Sequence, residues 1–81
     1  MKIEVLVFAR LRELAGTDRE VLDVDDGDTV KAVVKRLFQR QQWSGAASLP
    51  LRFAVNEEFV TEDQELHDGD RLALLTPVSG G

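Results

Sequence analysis

TVKAVVKRLFQRQ, residues 29–41, places Val30, Val33, Val34, Leu37 and Phe38 at i, i+3, i+4, i+7 and i+8, one continuous apolar stripe along a helix. Asp28 or Thr29 caps its first turn. Asp25, Asp26 and Asp28 suit the positive end of the helix dipole, and Lys35, Arg36 and Arg40 lie toward the negative end. Working outward, Glu20–Val24 reads as a strand with Leu22 and Val24 on one face and Val21 and Asp23 on the other. Lys2–Phe8 alternates more cleanly: Ile3, Val5 and Val7 share one face, and Leu6 and Phe8 share the other with Lys2 and Glu4. Between them Leu11, Leu14 and Ala15 mark one helical turn within Arg10–Ala15, with Gly16 suited to end it, so the two strands form a hairpin. Beyond the long helix, residues 42–51 read as a loop broken by Ser44, Gly45, Ser48 and Pro50. Arg52–Asn56 is a third strand, Asn56-Glu57-Glu58 a turn, and Phe59-Val60 a short strand. Thr61 and Gln64 have capping-box spacing, which predicts a helical turn before Leu66. Asp68-Gly69-Asp70 is a turn, Arg71–Thr76 the last strand, and residues 77–81 a flexible tail. One striped helix needs one sheet face to lie on. Residues 1–76 are therefore expected to form a single α+β domain, a mixed sheet of four to five strands under one main helix, and the β-grasp architecture fits that order.

Composition narrows the function. With 43% apolar and 31% charged residues in 81 positions, the chain has one modest core. A domain of this size buries only about 60% of its unfolded surface, so no deep catalytic cleft is expected. A net charge of −5 argues against nucleic acid and anionic membrane and toward a partner with a basic docking face. The absence of cysteine excludes a disulfide scaffold, a thiolate zinc site and a thiol nucleophile. The apolar stretch near the start is too short for a signal peptide and is interrupted by Glu4, and no segment is long enough for a membrane span, so the cytoplasm is the expected compartment. The single histidine, His67, sits by a turn and reads as solvated; no Ser–His–Asp arrangement emerges. The run Asp23, Asp25, Asp26, Asp28 fails as a calcium loop, because Gly27 falls fifth and Val34 twelfth where glycine belongs at six and a carboxylate at twelve. No metal site and no bound cofactor are expected.

What remains is the backbone end, Thr76-Pro77-Val78-Ser79-Gly80-Gly81. Two glycines there fall by chance in about 0.5% of chains, given glycine near 7% of residues. Without Cβ atoms such a pair passes through a narrow channel and leaves its carboxylate unshielded. Pro77 helps launch the tail, whose five residues reach roughly 16–18 Å when extended. Most chain ends are merely frayed, and the pair alone does not exclude that. The strands add a second signal. Leu72 and Leu74 alternate with Ala73 and Leu75, so both faces of the last strand are apolar. If the helix covers one face, then Leu6, Phe8, Leu75 and Phe59 are left for a partner, unless the loop carrying Trp43 folds over them.

The segments Phe8-Ala9-Arg10-Leu11-Arg12-Glu13-Leu14-Ala15-Gly16, Ala54-Val55-Asn56, Leu66-His67-Asp68-Gly69-Asp70 and Pro77-Val78-Ser79-Gly80-Gly81 resemble the small subunit of molybdopterin synthase (MoaD) along the whole chain. Leu75 and Thr76 depart from it, standing where many members carry an aromatic residue and a proline. The resemblance implies a ubiquitin-like β-grasp fold and a sulfur-carrier role. An E1-like adenylating enzyme would activate the carboxylate of Gly81, behind Gly80, using ATP and magnesium. A persulfide sulfurtransferase would then convert it to a thiocarboxylate. Phe8, Phe59, Leu75, Pro77, Val78 and Ser79 would meet the large subunit, which binds the pterin precursor and supplies the catalytic side chains, in a complex of two small and two large subunits. Three other readings of the same end stay open: a ubiquitin-like modifier joined to lysines through Gly81, a thiamine-pathway sulfur carrier, and a β-grasp binding module without terminal chemistry.

Overall fold

The computed structural model describes residues 1–40, 43 and 50–76, with the backbone alone at residues 9 and 10. Five strands form one mixed sheet: β1 (Lys2–Val7), β2 (Arg19–Asp23), β3 (Arg52–Val55), β4 (Glu58–Val60) and β5 (Arg71–Leu75), in the order β2-β1-β5-β3-β4. β1 and β5 pair in parallel at the centre, and every other pair is antiparallel. The architecture is the ubiquitin-like β-grasp. The connection from β1 to β2 is longer than a tight hairpin turn, because it contains α1 (Ala9–Ala15), closed by Gly16 at φ 75°. That left-handed conformation suits glycine, whose N–H donates to the Arg12 carbonyl at 3.0 Å.

The long helix, α2 (Val30–Phe38), is capped by Thr29, whose hydroxyl accepts from the Ala32 N–H at 3.2 Å. Its last residue is Phe38, with Gln39 as the C-cap, three residues short of the span that the sequence predicts. Val30, Val33 and Leu37 are buried, with Val34 and Phe38 flanking them, so the stripe lies on the sheet as expected. Its sheet partners are Ile3, Val5, Val7, Val55, Leu72 and Leu74, joined by Leu11, Val24 and Leu66. Trp43 is fully buried in this core, its ring 6.1 Å from that of Phe38. It therefore fills the helix side and does not cover the opposite face.

Residues 61–66 correct the sequence expectation. Thr61 and Gln64 do not open a helical turn; the Gln64 N–H reaches the Thr61 carbonyl at 3.2 Å in a β-turn. The segment serves α2 instead. The carbonyls of Gln64 and Glu62 accept from the Val30 and Lys31 N–H groups, each at 2.9 Å, and Leu66 N–H donates to the Asp28 carbonyl at 2.8 Å. First-turn amides lack partners within a helix, and here a distant loop supplies two of them.

Candidate functional site

Helix α2 covers one face of the sheet and leaves the other open. The register shows what that open face carries. One row crosses all five strands: Arg19 on β2, Leu6 on β1, Ala73 on β5, Ala54 on β3 and Phe59 on β4. Phe59 is 73% exposed. The next row toward the chain end pairs Leu75 with Arg52. Phe8 belongs beside them, since Val7 pairs with Leu74 and points inward while the backbone at Phe8 is still extended. Phe8 is 48% exposed, and Leu6, Ala73 and Leu75 are partly covered. The structure thus brings Phe8 and Leu75 together and sets Phe59 two strands away from Leu75 on the same face. Contiguous exposed apolar surface of this kind marks a contact region for another macromolecule.

The rows on the other side of the apolar band are charged. Val21, Glu4 and Arg71 lie abreast, and Glu4 accepts both neighbouring guanidiniums: Arg19 Nε at 3.2 Å and Arg71 Nε at 3.5 Å. Lys2 and Asp23 pair at 3.3 Å beyond them. Arg52 is exposed and has no carboxylate partner among the described residues. The grouping of these arginines was not visible in the sequence, because only strand register places them around the apolar band.

The base of β5 is held by Asp70, which is 9% exposed. Its carboxylate accepts from Asn56 Nδ2 at 2.9 Å and from the His67 N–H at 2.7 Å, and its carbonyl accepts from the Glu4 N–H at 2.9 Å. His67 itself is largely solvated, with Nδ1 3.8 Å from Asp70, as a turn residue should be. A hollow between β2 and α2, lined by Leu22, Val24, Val33, Arg36, Leu37 and Arg40, has its two guanidiniums already committed to Asp28 and Glu20. Among the described residues no three carboxylates or histidines converge as a metal site, and no helix is long and apolar enough to cross a membrane. Pro77, Val78, Ser79, Gly80 and Gly81, the tail expected to carry the chemistry, lie outside the described residues.

Residues 5–81 match the model of the ThiS family. The chain belongs to the ThiS family. The molybdopterin synthase sulfur carrier subunit of Escherichia coli K12 is 41% identical to this ThiS-family chain, over 98% of the chain and 99% of the relative. Among solved structures, SAMP1 (small archaeal modifier protein 1) of Haloferax volcanii superimposes with a TM-score of 0.85 at 28% identity, covering 100% of each chain. A Helicobacter pylori protein from the complex of subunits 1 and 2 of molybdopterin-converting factor shares the fold, with a TM-score of 0.74 at 22% identity over 100% of each chain.

Proposed function

We propose that this chain is the sulfur-carrier subunit of molybdopterin synthase and that the carboxylate of Gly81 carries the sulfur. The supporting observation is that the family match runs through residue 81, so it takes in the Gly80-Gly81 end, and that the E. coli carrier subunit is 41% identical over 98% of the chain.

The chemistry is consistent with the residue types. A carboxylate is a poor electrophile. Transfer of an adenylyl group from ATP, with loss of pyrophosphate, turns it into an acyl adenylate on the activating enzyme, where magnesium balances the phosphates. The outer sulfur of a sulfurtransferase persulfide displaces AMP to give an acyl disulfide. A second thiol on the partner enzymes then cleaves its S–S bond, becoming a disulfide itself and leaving a thiocarboxylate on Gly81, an anionic sulfur nucleophile. A chain without cysteine has no thiol of its own to capture that sulfur as a disulfide. The tail then enters the large subunit, which holds the pterin precursor and supplies the catalytic side chains, and proximity provides part of the rate. Two such transfers build the dithiolene that later binds molybdenum. Phe8, Leu75 and Phe59 on the open face dock the body, residues 77–81 span the channel, and the work takes place in the cytoplasm.

The likeness to SAMP1 favours one alternative, a modifier joined to target lysines through the same terminus. Intact-mass analysis of the chain purified from its own cells separates the two. The expected result is a fraction heavier by the difference between sulfur and oxygen, mapped to the C-terminal peptide ending at Gly81, and its loss when Gly80 and Gly81 are deleted. Isopeptide adducts without that species would establish the modifier instead, and cofactor assembly by the deleted form would refute the carrier reading.

A further inference from the structure

The net charge of the whole chain is −5, yet the open face has the opposite sign. Its strands present four cations, Lys2, Arg19, Arg52 and Arg71, against two carboxylates, Glu4 and Asp23. Lys2 and Asp23 cancel as a pair. Glu4 is one carboxylate shared between Arg19 and Arg71, so that triad keeps one positive charge. Both guanidiniums stay mostly in solvent, at 64% and 69% exposure, and remain available to a second carboxylate. Arg52 stands unpaired among the described residues, directly across from Leu75, two positions before Pro77. The acidic excess lies elsewhere. Asp25, Asp26 and Asp28 precede α2, and the segment with Glu62, Asp63 and Glu65 is hydrogen-bonded to that helix start. Charge segregated in this way orients an approaching partner, because it attracts at one face and repels at another.

We propose that the open face recognises a partner surface with an apolar centre and an acidic rim, and that Arg52 pairs with a carboxylate of that rim beside the base of the tail. The occupant is the large subunit of the synthase, so the proposal rests on the carrier reading above. The whole-chain charge predicts a basic docking face on the partner; the register reverses that expectation for the surface that makes contact. The apolar band (Leu6, Ala73, Leu75, Phe8 and Phe59) supplies burial, and the guanidiniums at its two flanks fix the direction in which the tail is presented. An arginine suits this task, since its planar fork matches a carboxylate with two parallel hydrogen bonds.

The test measures association and dissociation of the full chain with the large subunit from the same genome, at low and high salt. Arg52→Glu should slow association about tenfold at low salt, with a smaller change in dissociation, because a rim charge acts chiefly on encounter. The salt dependence of association should flatten in the same variant, and Arg52→Ala should fall between it and the wild type. Asp63→Lys, on the acidic side, should leave association within about twofold of wild type or raise it slightly. Arg52 is exposed, and a thermal melt checks that the variants remain folded. Faster association of Arg52→Glu, or rates indifferent to it, overturns the acidic-rim proposal while leaving the carrier reading intact. Failure of the wild-type chain to bind the large subunit at any salt overturns the carrier reading and the proposal together.

Discussion

At the scale of single residues, the turn between β3 and β4 shows a local conflict. It has two residues, Asn56 at φ 51° and Glu57 at φ 73°, the geometry that twists a tight hairpin correctly and that Asn-Gly satisfies best. Asn56 is well used there: its Nδ2 donates to Asp70, and its Oδ1 and N–H meet the Arg71 N–H and carbonyl at 3.0 and 2.9 Å. Glu57 is exposed and holds its backbone in the left-handed region with no such support from its side chain among the described residues. A side chain in that region costs about 1–2 kcal/mol, whereas glycine loses only about 0.5–1 kcal/mol of extra entropy on folding. Glu57→Gly should therefore stabilise the protein by about 0.5–1 kcal/mol, read from the urea midpoint with an unchanged slope; a lower midpoint would show that the turn is unstrained. The turn itself was legible in Asn56-Glu57. Its coupling to Asp70 was not, because the two are fourteen residues apart and meet only through sheet order.

At the scale of elements, α2 was legible because every local signal agrees there: the stripe, the Thr29 cap and the basic last turn. Strand β2 read less cleanly for a physical reason. It is an edge strand, and Val21 faces solvent at 54% exposure, so its apolar alternation is diluted. Residues 61–66 were misread because their fold answers to the unpaired amides of α2, a demand that no local spacing displays. Asp28 joins these parts. It accepts from the Arg36 guanidinium one helix face away and from the Asp25 N–H at 2.8 Å. The Arg36 hydrogen bond, followed by that of the Asp25 amide, holds the Asp28 carboxyl below its ordinary value of 3.8. A lowered folded-state pKa contributes stability that is complete above the unfolded value and disappears as pH falls through the folded one. The stability gap between wild type and Asp28→Asn should thus be constant from neutral pH down to about 5 and then close in acid, followed by urea unfolding at stepped pH. A gap that persists unchanged at pH 2 would remove the ion pair from the explanation.

At the scale of the whole molecule, one core holds both layers together. Leu37 on α2 is 1% exposed and packs in the same cluster as Trp43, Val5 and Leu72. Leu37→Ala should cost about 2–5 kcal/mol through the cavity it leaves. Because Trp43 is the single tryptophan and is buried, its fluorescence and far-ultraviolet dichroism should report one coincident transition before and after the change. Separate transitions would mean that helix and sheet unfold independently. The family was the most legible part, because its motifs are written along the chain. The positive excess on the open face was hidden, since composition averages over surfaces that the register keeps apart. The position of β5 has a mechanical consequence. It lies between β1 and β3, so traction on the chain end is shared by two ladders at once, with their hydrogen bonds loaded sideways together and not peeled singly. A pull at the end of β5 is thus resisted from both sides, whereas a pull on the edge strands β2 or β4 meets a single neighbour.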